Sequence, residues 1–212
     1  MAEKILARWK SWQVLALFAF LQCALTGLGV YFFDYFAGSA TSGFARTGAV
    51  GGTGMFFIYM LGFLNALIVL IPVQRLGFIG AGALVYSLWA LVGLPLEYHY
   101  EWVLNRSLRG VWAVAAWCVA GPLNGLAADL AHRFLPRSIA PGLRAALTGA
   151  AFGVACYLTT LAALAWLYVV PLDRGPGSFA GLTYFGLPWL AAHSALGGFT
   201  AWALQRPRAA LA

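Results

Sequence analysis

The sequence predicts an all-α integral membrane bundle of six transmembrane helices, a single domain with both termini cytoplasmic. Three observations predict it. Of 212 residues, 62% are hydrophobic and only 9% are charged, against the roughly 25% charge of a soluble domain. The apolar residues fall in continuous runs near the roughly 20 residues of a spanning helix, without the alternation of a membrane β-barrel. The cations divide unequally between alternate connections, which orients helices in a bilayer. The same figures exclude a water-soluble globule, a disordered tail and a nucleic-acid-binding domain.

The first run is Gln13–Phe33, preceded by Lys4, Arg8 and Lys10. It exceeds the roughly 7–15 residues of a signal-peptide core, so it is read as a retained span, with Ala37-Gly-Ser-Ala40 a weak cleavage candidate. Met55–Val73 and Gly77–Pro95 follow, joined by the tight turn Gln74-Arg75-Leu76, which makes them antiparallel neighbours. Gly110–Leu130 contains Pro122, which removes a helical hydrogen bond, and Gly121-x-x-x-Gly125, which permits close helix approach. Ala145–Val170 is long enough to tilt, and Leu182–Leu204 closes the set. Asp129 is the one acidic or basic residue within these runs, and it is read as an inner-surface ion pair with His132 or Arg133.

With the N-terminus inside, Lys4, Arg8, Lys10, Arg75, Arg133, Arg137, Arg144, Arg206 and Arg208 face the cytoplasm. Arg46, Arg106, Arg109 and Arg174 face outward, balanced by Asp34, Glu97, Glu101 and Asp173. The net charge of +7 therefore marks the inner side and its attraction to anionic lipid. The lipid bilayer of the cell membrane, crossed several times, is the expected setting.

The outer connections are unequal. The segment 34–54 carries glycines 38, 43, 48, 51, 52 and 54. Glycine eases large backbone changes, and a long loop of this kind serves as a lid or as a plain connector. The segment 96–109 is amphipathic, with Tyr98, Tyr100 and Trp102 suited to a headgroup zone. Glu97, His99 and Glu101 alternate there, but no second histidine shares that side: His132 is placed inside and His193 deep in the last span. No metal site is assigned. Cys23, Cys118 and Cys156 lie in three different runs with no Cys-x-x-Cys, and they read as small packing residues. No internal repeat of the kind used by inverted-repeat transporters is visible.

Polar residues within the runs are costly in lipid and mark either helix contacts or ligand contacts. Serine and threonine return their hydrogen bonds to the backbone. Asn65, Asn124 and His193 have no such refuge. His193 is expected to be neutral and hydrogen-bonded.

The stretch Gly121-Pro-Leu-Asn124-Gly125-Leu126-Ala-Ala128-Asp129 resembles the fourth helix of the substrate-binding S components of energy-coupling-factor vitamin transporters, in their hydroxymethylpyrimidine/thiamine branch. Arg75-Leu-Gly77 and Ser194-Ala-Leu-Gly197-Gly198-Phe-Thr-Ala201 are similar to the same branch. The Ala-x-x-x-Ala face by which such proteins dock a coupling subunit is replaced here by Ala19-x-x-x-Cys23 and Cys23-x-x-x-Gly27. The resemblance implies capture of a small vitamin-like heterocycle from the outer face, under a lid formed by 37–54. It implies as partners a transmembrane coupling subunit and cytoplasmic ATPases. The chain lacks a Walker motif of its own. For a flat heterocycle, stacking falls to Trp102, Trp112, Trp117, Tyr184 and Trp189, and orientation to Glu97, Glu101, Asn124 and His193. No catalytic residue and no cofactor are assigned, and the chain is read as a binder and not an enzyme.

Two other classes remain. An accessory subunit of a larger membrane complex, with or without a metal site, would have the same six runs. Ala-Ala-His193-Ser is similar to the histidine helix of rhomboid proteases, but the Gly-x-Ser-Gly nucleophile is missing from the earlier runs.

Overall fold

The chain begins its first helix with a side-chain clasp. In a computed structural model that describes residues 10–32, 62–88, 108–167 and 179–206, the Lys10 N–H donates to Gln13 Oε1 at 2.8 Å. That reach-back satisfies a donor ahead of helix α1, Ser11–Phe32. A π-turn at 62–64 leads into α2, Asn65–Leu76. Helix α2 stops at Gly77, whose φ of 67° is the left-handed conformation that glycine adopts without strain. The Gly77 N–H donates to Val73 O at 3.2 Å, and Arg75 sits in the last turn, where a cation meets the negative helix end. The predicted turn at 74–76 is thus helix, and the reversal falls at 77–80. The left-handed glycine marks the boundary, and the apolar count could not.

Helix α3 occupies 81–88. Helix α4, Leu108–Phe134, ends in His132 and Arg133 and passes through an elbow at 135–140 into α5, Pro141–Leu167. Proline at the first position of α5 has no N–H to leave unpaired. Helix α6 is Phe179–Leu204.

Among the described residues six helices stand near the six predicted runs, but the membrane-spanning part of the expectation is corrected. Among the described residues, no helix is long and apolar enough to cross a membrane. Helix α2 has 12 residues, about 18 Å at 1.5 Å per residue, where a hydrocarbon core is about 30 Å. The longer helices carry polar groups along their described lengths: Asn124, Asp129, His132 and Arg133 on α4, Arg144, Thr148 and Thr159 on α5, Ser194 and Thr200 on α6. Segments 34–54 and 89–107, with the proposed lid and the aromatic outer segment, lie outside the described residues.

Phe152, Leu70, Val14, Val69, Val73 and Val85 form the fully buried centre, drawn from α1, α2, α3 and α5. The α5–α6 seam closes on backbone. A Cβ on Gly149 would collide with Ser194 O, and one on Gly198 with Ala145 O. Gly153 lies under the Ser194 side chain, and Gly197 against Phe63 O of the π-turn. Large apolar side chains face outward on several sides, among them Phe20, Leu123, Leu158 and Leu196.

Candidate functional site

The α3–α4 junction is organised by one carboxylate. Gly80 immediately precedes helix α3 and has no side chain to cap it. Asp129, 2% exposed, supplies the cap from α4. Its Oδ2 accepts from Gly80 N at 3.0 Å and Ala83 N at 3.3 Å, and its Oδ1 from Gly82 N at 3.0 Å. Ala81 N turns to Phe78 O at 3.5 Å, so every N–H ahead of the first intrahelical bond, Leu84 to Gly80, has an acceptor. The negative carboxylate also faces the positive end of the helix.

This cap requires contact between backbones. A Cβ on Gly125 would collide with Gly82 O, and one on Gly121 would lie 2.8 Å from the Tyr86 ring. Gly121, Gly125 and Asp129 are spaced by four on one face of α4, opposite Gly82 and Tyr86 on α3. The Gly-x-x-x-Gly and the acid of α4 thus build one helix junction. The ion pair expected for Asp129 is replaced by this cap. Sequence reasoning missed it because the acceptor and its donors are 46 to 49 residues apart.

Deeper in the bundle, polar side chains meet in pairs across helices. Tyr86 Oη donates to Asn65 Oδ1 at 2.7 Å, joining α3 to α2, and both residues are buried. Thr159 Oγ1 donates to Asn124 Oδ1 at 2.9 Å, joining α5 to α4. Thr159 also lies on the backbone oxygens of Ala155 and Cys156. Tyr86 packs near Phe152, ring centroids 6.4 Å apart. Nothing in the sequence couples position 86 to 65.

On α6, His193 Nδ1 lies 2.8 Å from Trp189 O. A carbonyl only accepts, so Nδ1 carries the proton. The two rings are neighbours at 5.7 Å. Ser194, fully buried, donates instead to Gly62 O at 3.4 Å, between α6 and the π-turn. Neighbouring His193 and Ser194 thus hold different partners.

Of the predicted ligand contacts, Asn124 is buried, His193 is half-buried and Trp189 is 53% exposed. The structure joins Trp189 to His193 and pairs Asn124 with Thr159 instead. Glu97, Glu101 and Trp102 lie outside the described residues, as do the side chains of Trp112, Trp117 and Tyr184. Among the described residues, no three of His, Cys, Asp or Glu gather in a group fit for a metal ion. Cys156 is buried in the core and Cys23 half-buried.

The opposite end of α5 holds a second polar knot. An Arg144 N–H donates to His132 O, and Thr148 Oγ1 donates to Arg144 O at 2.9 Å. Gln74 Nε2 donates to Gly198 O and Gln205 Nε2 to Gln74 Oε1, both at 3.1 Å, tying α2 to α6. Burial, and then the Arg144 guanidinium, hold the His132 imidazole below the usual histidine range. Folded protein therefore takes up this proton less readily than unfolded chain. The resulting stability is complete above the unfolded pKa of about 6.5 and is lost as pH falls through and below it. Melting temperature is expected to drop between about pH 7.5 and 5.5, and His132→Gln to flatten that slope. An unchanged slope in the variant would remove His132 as its source.

No family model, curated protein sequence or solved structure matches the chain.

Proposed function

We propose that the chain is the substrate-binding subunit of a membrane transporter of the energy-coupling-factor type, taking a small vitamin-like heterocycle. The observation that carries the reading is Asn124. It stands within the stretch that resembles the S components, and its carboxamide is buried between α4 and α5 with Thr159 on its oxygen. Its N–H donors suit a ring nitrogen or carbonyl, and a mostly apolar interior with a few fixed polar groups is the usual make-up of a small-molecule site. The outward Phe20, Leu123, Leu158 and Leu196 give apolar surface of the kind that marks contact with a partner. Glu97, Glu101, Trp102, Trp112, Trp117 and Tyr184 are the further proposed contacts, with a coupling subunit and cytoplasmic ATPases as proposed partners.

The test is a thermal shift of the detergent-purified full chain against pyrimidine and thiazole compounds, thiamine included. A ligand at 100 times its Kd adds about 2.7 kcal/mol of stability, enough to raise the melting temperature by several degrees. Asn124→Ala should abolish the shift while still giving a cooperative melt. Silence across the whole panel, or an undiminished shift in the variant, overturns the reading.

A further inference from the structure

Five of the six arginines within the described residues converge on one end of the bundle, Arg109 standing at the other end of α4. Arg75 lies in the last turn of α2 and Arg133 in that of α4. Arg137 lies in the elbow, Arg144 in the first turns of α5, and Arg206 just past α6. Contacts between the helices tie these places together. Asp129 near the end of α4 binds the turn after α2, and Arg144 binds His132 O. Gln74 meets Gln205, and Gly142 lies under Trp202 with a Cβ position 2.9 Å from the ring.

Among the described residues the one acid is Asp129, and it is buried and committed to the α3 cap. Arg133, Arg137 and Arg206 are exposed. Around them stand outward apolar side chains: Phe134 at 73%, Leu204 at 62% and Leu143 at 56% exposure. The Arg206 guanidinium lies 3.8 Å over the Trp202 ring, which in turn packs on Phe199 at 5.3 Å. That stack orients the cation at an apolar edge.

We propose that this end binds the phosphate headgroups of anionic phospholipid. The observation pointing to lipid, and not to a dissolved anion, is the interleaving of exposed cations with exposed phenylalanine and leucine. Cations meet the headgroup phosphates while the apolar neighbours enter the acyl boundary. Trp202 takes the amphipathic ring position favoured at that depth. This inference shares only the membrane setting with the proposed function, so failure of the heterocycle test leaves it standing.

The test is native mass spectrometry of the full chain in detergent, titrated with phosphatidylglycerol or with phosphatidylcholine, alongside melting curves. Phosphatidylglycerol is expected to be retained and to raise the melting temperature, and phosphatidylcholine to do neither. Added salt should weaken the effect. Each arginine removed should weaken retention about fivefold, from about 1 kcal/mol per cation at an anionic surface, so Arg137→Gln with Arg206→Gln compounds the loss. Arg137→Gln alone decides the matter should the double variant fail to fold. Equal retention of the two lipids, or retention unchanged by the substitutions, overturns the proposal. Equal stabilisation by inorganic phosphate overturns it too, and so does an equal response to a polyglutamate peptide, which would reassign the face to an acidic protein segment.

Discussion

Asp129→Ala is expected to cost about 3–5 kcal/mol of stability, because the buried N–H of Gly82 and the half-buried N–H groups of Gly80 and Ala83 lose their acceptor at about 1–3 kcal/mol each. That is a large part of the roughly 5–15 kcal/mol that a folded protein has in hand. Asp129→Asn keeps one acceptor oxygen without the charge, and should cost about half as much, since hydrogen bonds to charged groups are roughly twice as strong. Denaturant or thermal melts of the three proteins measure both. A melt of Asp129→Ala indistinguishable from the parent would show that the cap is dispensable.

Gly149→Ala is the second large effect. Its new Cβ would collide with Ser194 O and sit 2.8 Å from Ser194 C, both backbone atoms of α6. Backbone cannot rotate aside, so the helices must separate, and the cost should reach the upper end of overpacking, about 3 kcal/mol. Gly186→Ala makes the comparison. There the Cβ would meet only the Tyr157 ring edge at 3.2 Å, which a side-chain rotation relieves, and alanine favours helix over glycine by about 1 kcal/mol. That variant should melt within a degree or two of the parent. Equal losses in the two variants would mean that the α5–α6 seam is looser than its geometry.

What could be read in advance follows from the range of each signal. Apolar runs located the helices because burial acts residue by residue, and Gly110–Leu130 lies within Leu108–Phe134. Close approach at Gly121 and Gly125 was legible because the spacing of four is local. The partner was not. Nothing near Asp129 names Gly80, and nothing near Asn65 names Tyr86. The same runs misled on the membrane-spanning fold, because a count of apolar residues does not separate side chains turned to a surrounding medium from those turned inward. Phe152 and Leu70 are core, while Leu158 and Phe20 face out. For the site, Asn124 was legible as a polar residue without a local partner. Its bond to Thr159 was not, since it crosses 35 residues.

The cap on α3 also has a bearing on the order of assembly. Gly82 leaves the ribosome 47 residues ahead of the carboxylate that closes its helix. At about 5–20 residues per second, that is an interval of about 2–10 s. Helix α3 therefore emerges with open donors. It can finish only when the far end of α4 arrives, so these two helices mature as one unit however early the first is made.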